Sequence, residues 1–402
     1  MDVSKINARA EAIREETVAL RHHLHSCPEL SWRETETSGL IEGKLVELGL
    51  ANVRRGYGGT ESGVSADLIG YRPGPCVALR ADIDALPLTE ENDVAYRSAA
   101  EHTMHACGHD GHISILLGAA KLLSALKNEL PGRVRFIFQP AEEQGERSGA
   151  RAMIDEGVLD GVEMIAGLHL WSFERTGLVQ WRVGPVMASS DRWRATFTGK
   201  GGHGAMPHAA VDPTIAAANF IGSIQTITSR ELNPTETAVV SVGTLTSGDM
   251  FNIIPTKAAI GGSLRSFNPE VRASMEGRIR RIADGIATAF RCEAETTVEY
   301  MYPCVVNHRD ATEILRETAV EIAGQENVKE SPLLMVSEDF SFYLEHVPGT
   351  FFFLGAGNHE KGTDFPHHSP RFNIDDDALS TGVSLMTGFA AAALKRLESE
   401  GR

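Results

Sequence analysis

The sequence predicts an α/β protein in which a ferredoxin-like domain is inserted into a larger domain. Two observations carry this prediction. Short apolar segments alternate with helical segments up to about residue 186 and again from about residue 297, an order typical of an α/β layer with a mostly parallel sheet. Between these limits the order becomes β-α-β-β-α-β, the split arrangement of ferredoxin-like domains. The length of 402 residues agrees with more than one domain.

The larger domain is predicted to comprise residues 1–186 and 297–402. It begins with helical spacing over residues 8–26. Its apolar segments then predict a strand, a helix, two strands, a helix, a strand and a final helix: Cys76–Leu79, Ile113–Leu126, Val134–Phe138, Met164–Leu168, Ala311–Ala323, Thr350–Leu354 and Ala378–Leu397. The helix from Ile113 is apolar on almost every side, which indicates burial between layers.

The inserted domain is predicted at residues 187–296, just after Gly184-Pro185. Alternating polar and apolar positions predict strands, and longer amphipathic segments predict helices. In chain order the elements are Arg192–Thr198, Pro213–Ile227, Ala238–Leu245, Lys257–Phe267, Val271–Phe290 and Glu293–Tyr300.

The composition excludes several classes of protein. Hydrophobic residues make up 42% and charged residues 23% of the chain, which is ordinary for a globular protein and unlike a disordered or fibrous one. The formal net charge of −16 repels phosphate backbones, so no nucleic acid partner is expected. No continuous apolar run long enough for a membrane span and no secretory signal are expected. Five scattered cysteines favour a reducing cytoplasm.

Side chains that commonly bind metals are concentrated in four short stretches of the larger domain. They are RADIDALP, MHACGHDGH, FIFQPAEE and GLHL, which begin at Arg80, Met104, Phe136 and Gly167. Three of them are expected at the ends of strands, and open α/β sheets bind ligands at the carboxyl ends of their strands. Each stretch also has an ordinary structural interpretation, such as a helix cap or a solvent-exposed acidic pair. Their shared placement favours a single metal site.

The residue types indicate which metal and which chemistry. Thiolate, imidazole and carboxylate ligands together suit Zn²⁺, Mn²⁺, Co²⁺ or Ni²⁺ rather than Mg²⁺ or Ca²⁺. Several mixed ligands would serve two divalent ions that share a water. Glu142 and Glu143 offer one carboxylate for a metal and one base for the proton of that water. Because adjacent side chains diverge in a regular strand, the pair is expected where the strand breaks after Pro140.

The motifs together resemble those of the hippurate hydrolase and N-acyl-amino-acid amidohydrolase family. That family includes the plant auxin-conjugate hydrolases and is related to the aminoacylases and dimetal carboxypeptidases. The matching stretches span the chain: RADIDALP, MHACGHDGH, QPAEE, GLH, GKGGHGAMPH, SEDF and HHSPRF. The resemblance implies a dimetal-peptidase-like catalytic domain with an inserted ferredoxin-like lid. It also implies a homodimer or higher homo-oligomer formed through the lid.

The resemblance also implies roles for individual residues. The implied metal ligands are Cys107, His109, Glu143, His169 and His368. His368 is preferred to His367 because the family ligand directly precedes Ser-Pro. Glu142 matches the general base, and Asp84 matches a group that orients a ligand. Asp82 stands where relatives outside this subfamily have a metal-binding His, so its role is open.

Three residues of the inserted domain are implied to contact substrate. His203, in GKGGHGA, resembles a lid histidine that reaches a partner subunit's site and polarises the scissile carbonyl. Asn252, in FNIIP, and Arg265, in GGSLRSF, resemble groups that bind substrate oxygens and a substrate carboxylate.

The expected function is metal-dependent hydrolysis of the amide bond of small N-acyl amino acids, such as N-acetyl or N-benzoyl compounds. Two alternatives stay open. One is a metal-dependent carboxypeptidase or dipeptidase on the same scaffold, which the motifs do not separate cleanly. The other is a non-catalytic metal-binding or ligand-binding protein. The intact Glu142 argues against it, because a pure binder needs no base.

Overall fold

A computed structural model of the chain describes residues 3–401. The chain forms two compact units. The first comprises residues 1–184, 306–332 and 339–402, and the second comprises residues 185–305 and 333–338. The short return of residues 333–338 to the second unit was not predicted from the sequence.

The first unit is built on an eight-stranded mixed sheet. Its strands follow one another across the sheet in this order: Ala51–Arg55, Val64–Ile69, Pro131–Gln139, Arg72–Asp82, Met164–Arg175, Gly349–Gly357, Val179–Trp181 and Val328–Glu330. The four central strands run parallel to one another, which confirms the predicted α/β class. The strands flanking these four are antiparallel to their inner neighbours, so the sheet is less uniformly parallel than expected.

The first unit has a helix at each predicted place, with several limits corrected, whereas Thr35–Glu47, Gly149–Asp155 and Ser341–Leu344 were not predicted. Its helices are Val3–Ala12, Arg14–Ser26, Thr35–Glu47, His109–Ala125, Gly149–Asp155, Arg309–Ala323, Ser341–Leu344 and Ala378–Ser399. The single helix expected over residues 8–26 is two helices, because Ile13 has non-helical backbone angles (φ −105°, ψ 8°). The central helix begins at His109, four residues before the predicted start. The apolar pattern did not show this start, because the first turn of the helix is polar.

The C-terminal helix Ala378–Ser399 is a core element of the first unit. By length and composition alone it could cross a membrane, but 78% of its apolar window is buried inside the fold. It packs against the central helix His109–Ala125 and against Arg309–Ala323. Burial among other helices explains its apolar character without a bilayer.

The second unit has the predicted element order. Its four-stranded antiparallel sheet has the order Ala238–Ser247, Lys257–Ser266, Ser190–Thr198 and Glu293–Tyr302. Two helices, Pro213–Ile224 and Pro269–Phe290, connect the strands. Each has proline at its first position, and the preceding Asp212 or Asn268 accepts a main-chain N–H of the first turn. Both features are strong helix starts that the sequence displays directly.

Two short ribbons complete the strand pairings. One pairs Gly202–His203 with Ile253–Ile254, and the other pairs Gly184–Met187 with Val305–Asn307. The first lies wholly in the second unit and joins two motifs that are about 50 residues apart in sequence.

Candidate metal centre

Asp82 and Asp84 lie at the carboxyl end of the strand Arg72–Asp82, and both are buried. The Asp82 carboxylate accepts hydrogen bonds from His112 Nδ1 at 2.6 Å and Arg80 Nη1 at 2.7 Å. The Asp84 carboxylate accepts from the Ser31 hydroxyl at 2.6 Å. The lone pairs of Asp82 are therefore largely used by protein donors, which gives it an orienting position rather than a free ligand position.

Cys107 and His109 lie on either side of Gly108, which has φ +92° and directly precedes the central helix. His109 Nδ1 lies 2.8 Å from the main-chain oxygen of Asp84 and 3.2 Å from its carboxylate. This arrangement places a ring hydrogen on Nδ1, so Nε2 is the nitrogen at which a metal would replace a proton. His109 Nε2 is buried and has no hydrogen-bond partner among the described residues. Such an atom fits a metal ligand, because an orphaned buried nitrogen is otherwise costly.

His169 lies within the strand Met164–Arg175 and not at its end, which corrects the sequence expectation. The strand continues because its parallel pairing with Gly349–Gly357 extends past His169. His169 Nδ1 contacts the Leu170 main-chain oxygen at 2.7 Å, and its Nε2 lies 3.6 Å from the Cys107 sulfur. As with His109, a main-chain acceptor fixes the tautomer that leaves Nε2 free for a metal.

The adjacent glutamates lie where their strand ends, as expected. The strand stops at Gln139, and Ala141 then adopts left-handed backbone angles (φ 52°, ψ 45°) before a 3₁₀ turn that starts at Glu142. This break lets two consecutive side chains approach the same site. Glu142 is buried, and Glu143 Oε1 lies 3.1 Å from His368 Nε2.

The two adjacent histidines near the C-terminus have different environments. His368 has a left-handed backbone (φ 63°), and its imidazole reaches Glu143. His367 is packed between aromatic rings, with Phe372 and Trp171 each 4.8 Å away between ring centroids, and its Nε2 accepts the Ser172 amide at 3.3 Å. His368 therefore has the freer nitrogen, although His367 Nδ1 also lies 3.9 Å from the Cys107 sulfur.

The five sequence-predicted ligands and Glu142 converge in the first unit. Ligand atoms lie within 4.8 Å of one another in three overlapping groups: Cys107 with His109 and His169, Cys107 with Glu143 and His368, and His109 with Glu142 and Glu143. Overlap at Cys107 and His109 provides more donor atoms than one tetrahedral ion needs. The donor set of sulfur, nitrogen and oxygen fits borderline divalent ions.

The electrostatics of the cluster favour a cation. Burial disfavours a charged imidazole, but the Asp82 and Asp84 carboxylates outweigh it and raise the pKa of His109 to about 10. Burial and the neighbouring histidines His112 and His367 instead hold the pKa of His169 well below its usual range. The His109 ring thus lies in a negative field, and the His169 ring presents a neutral nitrogen. Both conditions suit metal binding.

The sequence suggests His112 as a metal ligand, but in the structure both of its ring nitrogens already have hydrogen-bond partners. Its Nδ1 contacts Asp82, and its Nε2 accepts the Leu170 amide at 2.9 Å. His112 therefore supports the ligand cluster from outside, as do several residues that no metal-binding motif indicated. Chief among these is Asp339, which accepts hydrogen bonds from Arg80 at 2.8 Å and from Gln139 at 2.8 Å. The SEDF motif was the only sequence signal for Asp339.

The second unit brings His203 and Asn252 together on the exposed ribbon. His203 pairs with Ile253 across the ribbon, and the Asn252 main-chain oxygen accepts the Gly204 amide at 2.8 Å. The Ala205 amide donates to His203 Nδ1 at 3.0 Å. The neutral ring therefore carries its hydrogen on Nε2 and presents a donor to solvent.

Arg265 lies on the strand Lys257–Ser266 of the same unit. Its Nη1 is buried without a hydrogen-bond partner among the described residues, and burial lowers its pKa. The nearby Asp191 carboxylate is engaged by Arg272, with N–O distances of 2.7 and 2.8 Å. Arg265 is therefore a partly buried cation with an unused donor.

Residues 78–392 match the description of peptidase family M20/M25/M40. The chain belongs to this family. Membership makes the protein a metal-dependent hydrolase of amide bonds, so the expected fold class and enzyme class are confirmed. Family membership therefore argues against the open alternative of a non-catalytic metal-binding or ligand-binding protein.

Relatives of this chain carry more than one description. The N-acetyl-L-cysteine deacetylase of Bacillus subtilis (strain 168) is 39% identical over 368 residues, which are 91% of this chain and 85% of the relative. Thermostable carboxypeptidase 2 of Saccharolobus solfataricus is 38% identical over 382 residues, 95% of this chain and 96% of the relative. The solved structure of the Bacillus subtilis YXEP protein, described as a dinuclear metal binding peptidase from the M20 family, is 33% identical. It matches 96% of this chain and 99% of its own with a TM-score of 0.84.

Proposed function

We propose that the protein hydrolyses the amide bond of N-acyl amino acids with Glu142 as the general base. The first unit is the catalytic domain, and the second is the lid. The observation that supports this most directly is that the overlapping groups of Cys107, His109, Glu143, His169 and His368 also include Glu142, which lies with His109 and Glu143 at the broken end of the strand Pro131–Gln139. The deacetylase relative adds support for the substrate class.

The five converging side chains are proposed to hold two divalent ions, drawn from Mn²⁺, Zn²⁺, Co²⁺ and Ni²⁺. Bound there, the ions would lower the pKa of a water and polarise the substrate carbonyl. Asp84 orients His109 through the Nδ1 contact, and it also accepts the Glu143 amide at 3.1 Å. It therefore fixes two of the ligand-bearing segments.

Glu142 performs the proton transfers. It takes a proton from the attacking water and then gives it to the leaving amine, so that the amine departs neutral. Because Glu142 is buried and follows the left-handed Ala141, its carboxylate is held away from bulk water. Its placement one residue before Glu143 keeps the base beside the ligand cluster.

The lid is proposed to bind the two ends of the substrate. His203 Nε2–H donates to the developing oxyanion at the scissile carbonyl, and Asn252 binds a substrate oxygen. The unused donor of Arg265 pairs with the free α-carboxylate of the amino acid, since a planar guanidinium matches a carboxylate well. An acidic protein needs such a local cation to capture an anionic substrate.

We further propose that the lid forms a homodimer or higher homo-oligomer in the cytoplasm and that His203 acts on the partner subunit's site. The exposed ribbon supports this, because His203 and Asn252 both face solvent within their own unit.

A carboxypeptidase or dipeptidase is the second candidate, because the Saccharolobus relative is named a carboxypeptidase. A panel of N-acetyl amino acids, N-benzoyl amino acids and dipeptides, assayed with the metal-loaded protein, separates the two. The proposal expects the N-acyl compounds to have the higher kcat/KM. Faster cleavage of dipeptides would assign the protein to the second class.

A further inference from the structure

The turn that presents Glu142 is anchored by two buried carboxylates. Glu34 Oε1 accepts the main-chain N–H of Ala141 at 2.9 Å, and Asp84 Oδ2 accepts that of Glu143 at 3.1 Å. The Ala141 oxygen accepts the Gly149 amide at 3.2 Å. The Pro140–Ala141 and Glu142–Glu143 peptide groups are thus each held by a side chain from another part of the chain.

This turn needs an anchor because of its backbone. Ala141 has φ 52°, in the left-handed region that residues with a Cβ atom rarely adopt. Such a conformation persists only where surrounding groups hold it. Without the acceptor at Ala141 N–H, the chain could relax and carry Glu142 away from the ligand cluster.

Glu34 is placed for this task rather than for a local one. It occupies the position before the helix Thr35–Glu47, where a side chain normally caps its own helix, yet it makes no capping hydrogen bond. Glu29 caps that helix instead, through the amides of Glu36 and Thr37 at 3.2 and 2.8 Å. The carboxyl group of Glu34 is turned inward and has no solvent exposure.

The protonation of Glu34 is compatible with an anchoring role. Burial and the neighbouring Asp84 charge raise its pKa to about 7. A carboxyl group keeps an acceptor oxygen whether or not it is protonated. The hydrogen bond to Ala141 therefore survives across neutral pH, and its geometry matters more than its charge.

We propose that Glu34 is a positioning residue for the general base: it holds the left-handed turn at Ala141 and thereby sets the location of the Glu142 carboxylate. This inference rests on the proposed role of Glu142. Glu34 lies outside all the metal-binding motifs, so the N-terminal segment would also take part in the reaction.

Two conservative variants test this proposal. Glu34→Gln keeps the length of the side chain and an acceptor oxygen, whereas Glu34→Asp keeps the carboxyl group but withdraws its oxygens by one methylene. With metal-loaded enzyme and an N-acyl amino acid, we expect kcat within about threefold of wild type for Glu34→Gln. For Glu34→Asp we expect kcat to fall about 10- to 100-fold with KM and metal content unchanged, since small misplacements of a catalytic group cost about that much. Glu29→Ala is the matched control, because it weakens the same helix without touching Ala141 and should leave kcat unchanged.

Hydrogen exchange of the peptide covering residues 140–147 provides a readout independent of turnover. Glu34→Asp should speed exchange there at least about tenfold, while Glu34→Gln and Glu29→Ala should match wild type. If Glu34→Asp retains both kcat and slow exchange, or if Glu34→Gln loses kcat as much as Glu34→Asp, the positioning role is wrong. If wild type hydrolyses no amide but the exchange pattern appears, the proposed function fails while the anchor stands.

Discussion

At the scale of single residues, the neighbouring His367 and His368 show how context separates two identical side chains. His368 is carried outward by a left-handed backbone and meets Glu143, whereas His367 is wedged among aromatic rings. Burial and the adjacent His368 lower the pKa of His367 to about 3. His367 is thus a neutral ring that packs among aromatic side chains and accepts a main-chain amide, and the proposed ligand is His368.

We predict that His368→Ala lowers the metal content of the purified protein, because one ion loses a nitrogen ligand that a methyl group cannot replace. His367→Ala should keep its metal and lose stability instead, since it removes a ring that packs against Trp171 and Phe372. Elemental analysis of both variants beside wild type makes the measurement. Metal loss confined to His367→Ala would reverse the assignment.

At the scale of elements, the sequence predicted the parts of the fold whose apolar pattern is local. The central strands are buried on both faces and read as continuous apolar runs, so the predicted strands lie inside the observed ones. The strand Val64–Ile69 was not predicted because Asp67 interrupts it. That carboxylate is buried only because Arg135, 68 residues away in sequence, lies opposite it on the neighbouring strand.

The same distinction applies to the candidate site. Its ligands occur in dense local motifs, so their types and spacing were visible in the sequence. The groups that hold those ligands come from far away: Arg80 meets Asp339 across 259 residues, and Glu34 meets Ala141 across 107. No local pattern connects such pairs, and only the folded chain brings them together.

The Asp67–Arg135 pair yields a prediction about pH. Burial alone would raise the pKa of Asp67, but hydrogen bonds from Arg135 at 2.8 and 3.0 Å and from Asn52 lower it below its usual value. As pH falls, the unfolded chain binds the proton first, so the stabilisation is complete above about pH 5 and is lost below about pH 4. Asp67→Asn should therefore reduce the free energy of unfolding by about 2 kcal/mol at pH 7 and by progressively less in acid.

Urea unfolding followed by circular dichroism at several pH values measures this difference. The exposed pair of Arg72 and Glu398, whose N–O distance is 2.5 Å, supplies the control. Glu398→Gln should change stability by less than about 1 kcal/mol at any pH. If Asp67→Asn lowers the free energy of unfolding by the same amount at every pH down to 3, the Asp67–Arg135 pair is not the source of that stabilisation.

At the scale of the whole molecule, the proposed trans action of His203 predicts complementation between two inactive variants. His203→Ala and Glu142→Gln should each have low kcat while keeping their metal. Mixing them with subunit exchange should recover up to about a quarter of wild-type activity, because a mixed dimer has one site with both residues intact. Exchange verified by mass spectrometry without any recovery would place His203 in its own subunit's site.

The proposed substrate contact of Arg265 also predicts that the enzyme recognises a free carboxylate. Arg265 is expected to favour N-acyl amino acids over their methyl esters by about 1–3 kcal/mol, the value of a hydrogen bond to a charged group. Arg265→Met should erase most of that preference and raise KM for the acid more than for the ester. Comparing kcat/KM for matched acid and ester substrates makes the test. An unchanged ratio in Arg265→Met would exclude the carboxylate contact.

One comparison tests whether Glu142 is the base of a metal-dependent amide hydrolysis. Glu142→Gln keeps the size of the side chain but cannot accept the proton from water. Turnover of an N-acyl amino acid by the metal-loaded variant should fall by about 10²- to 10⁴-fold, with metal content equal to wild type. Glu146→Gln, an exposed position in the same turn, should retain full activity. Turnover near the wild-type rate in metal-loaded Glu142→Gln would show that Glu142 is not the base.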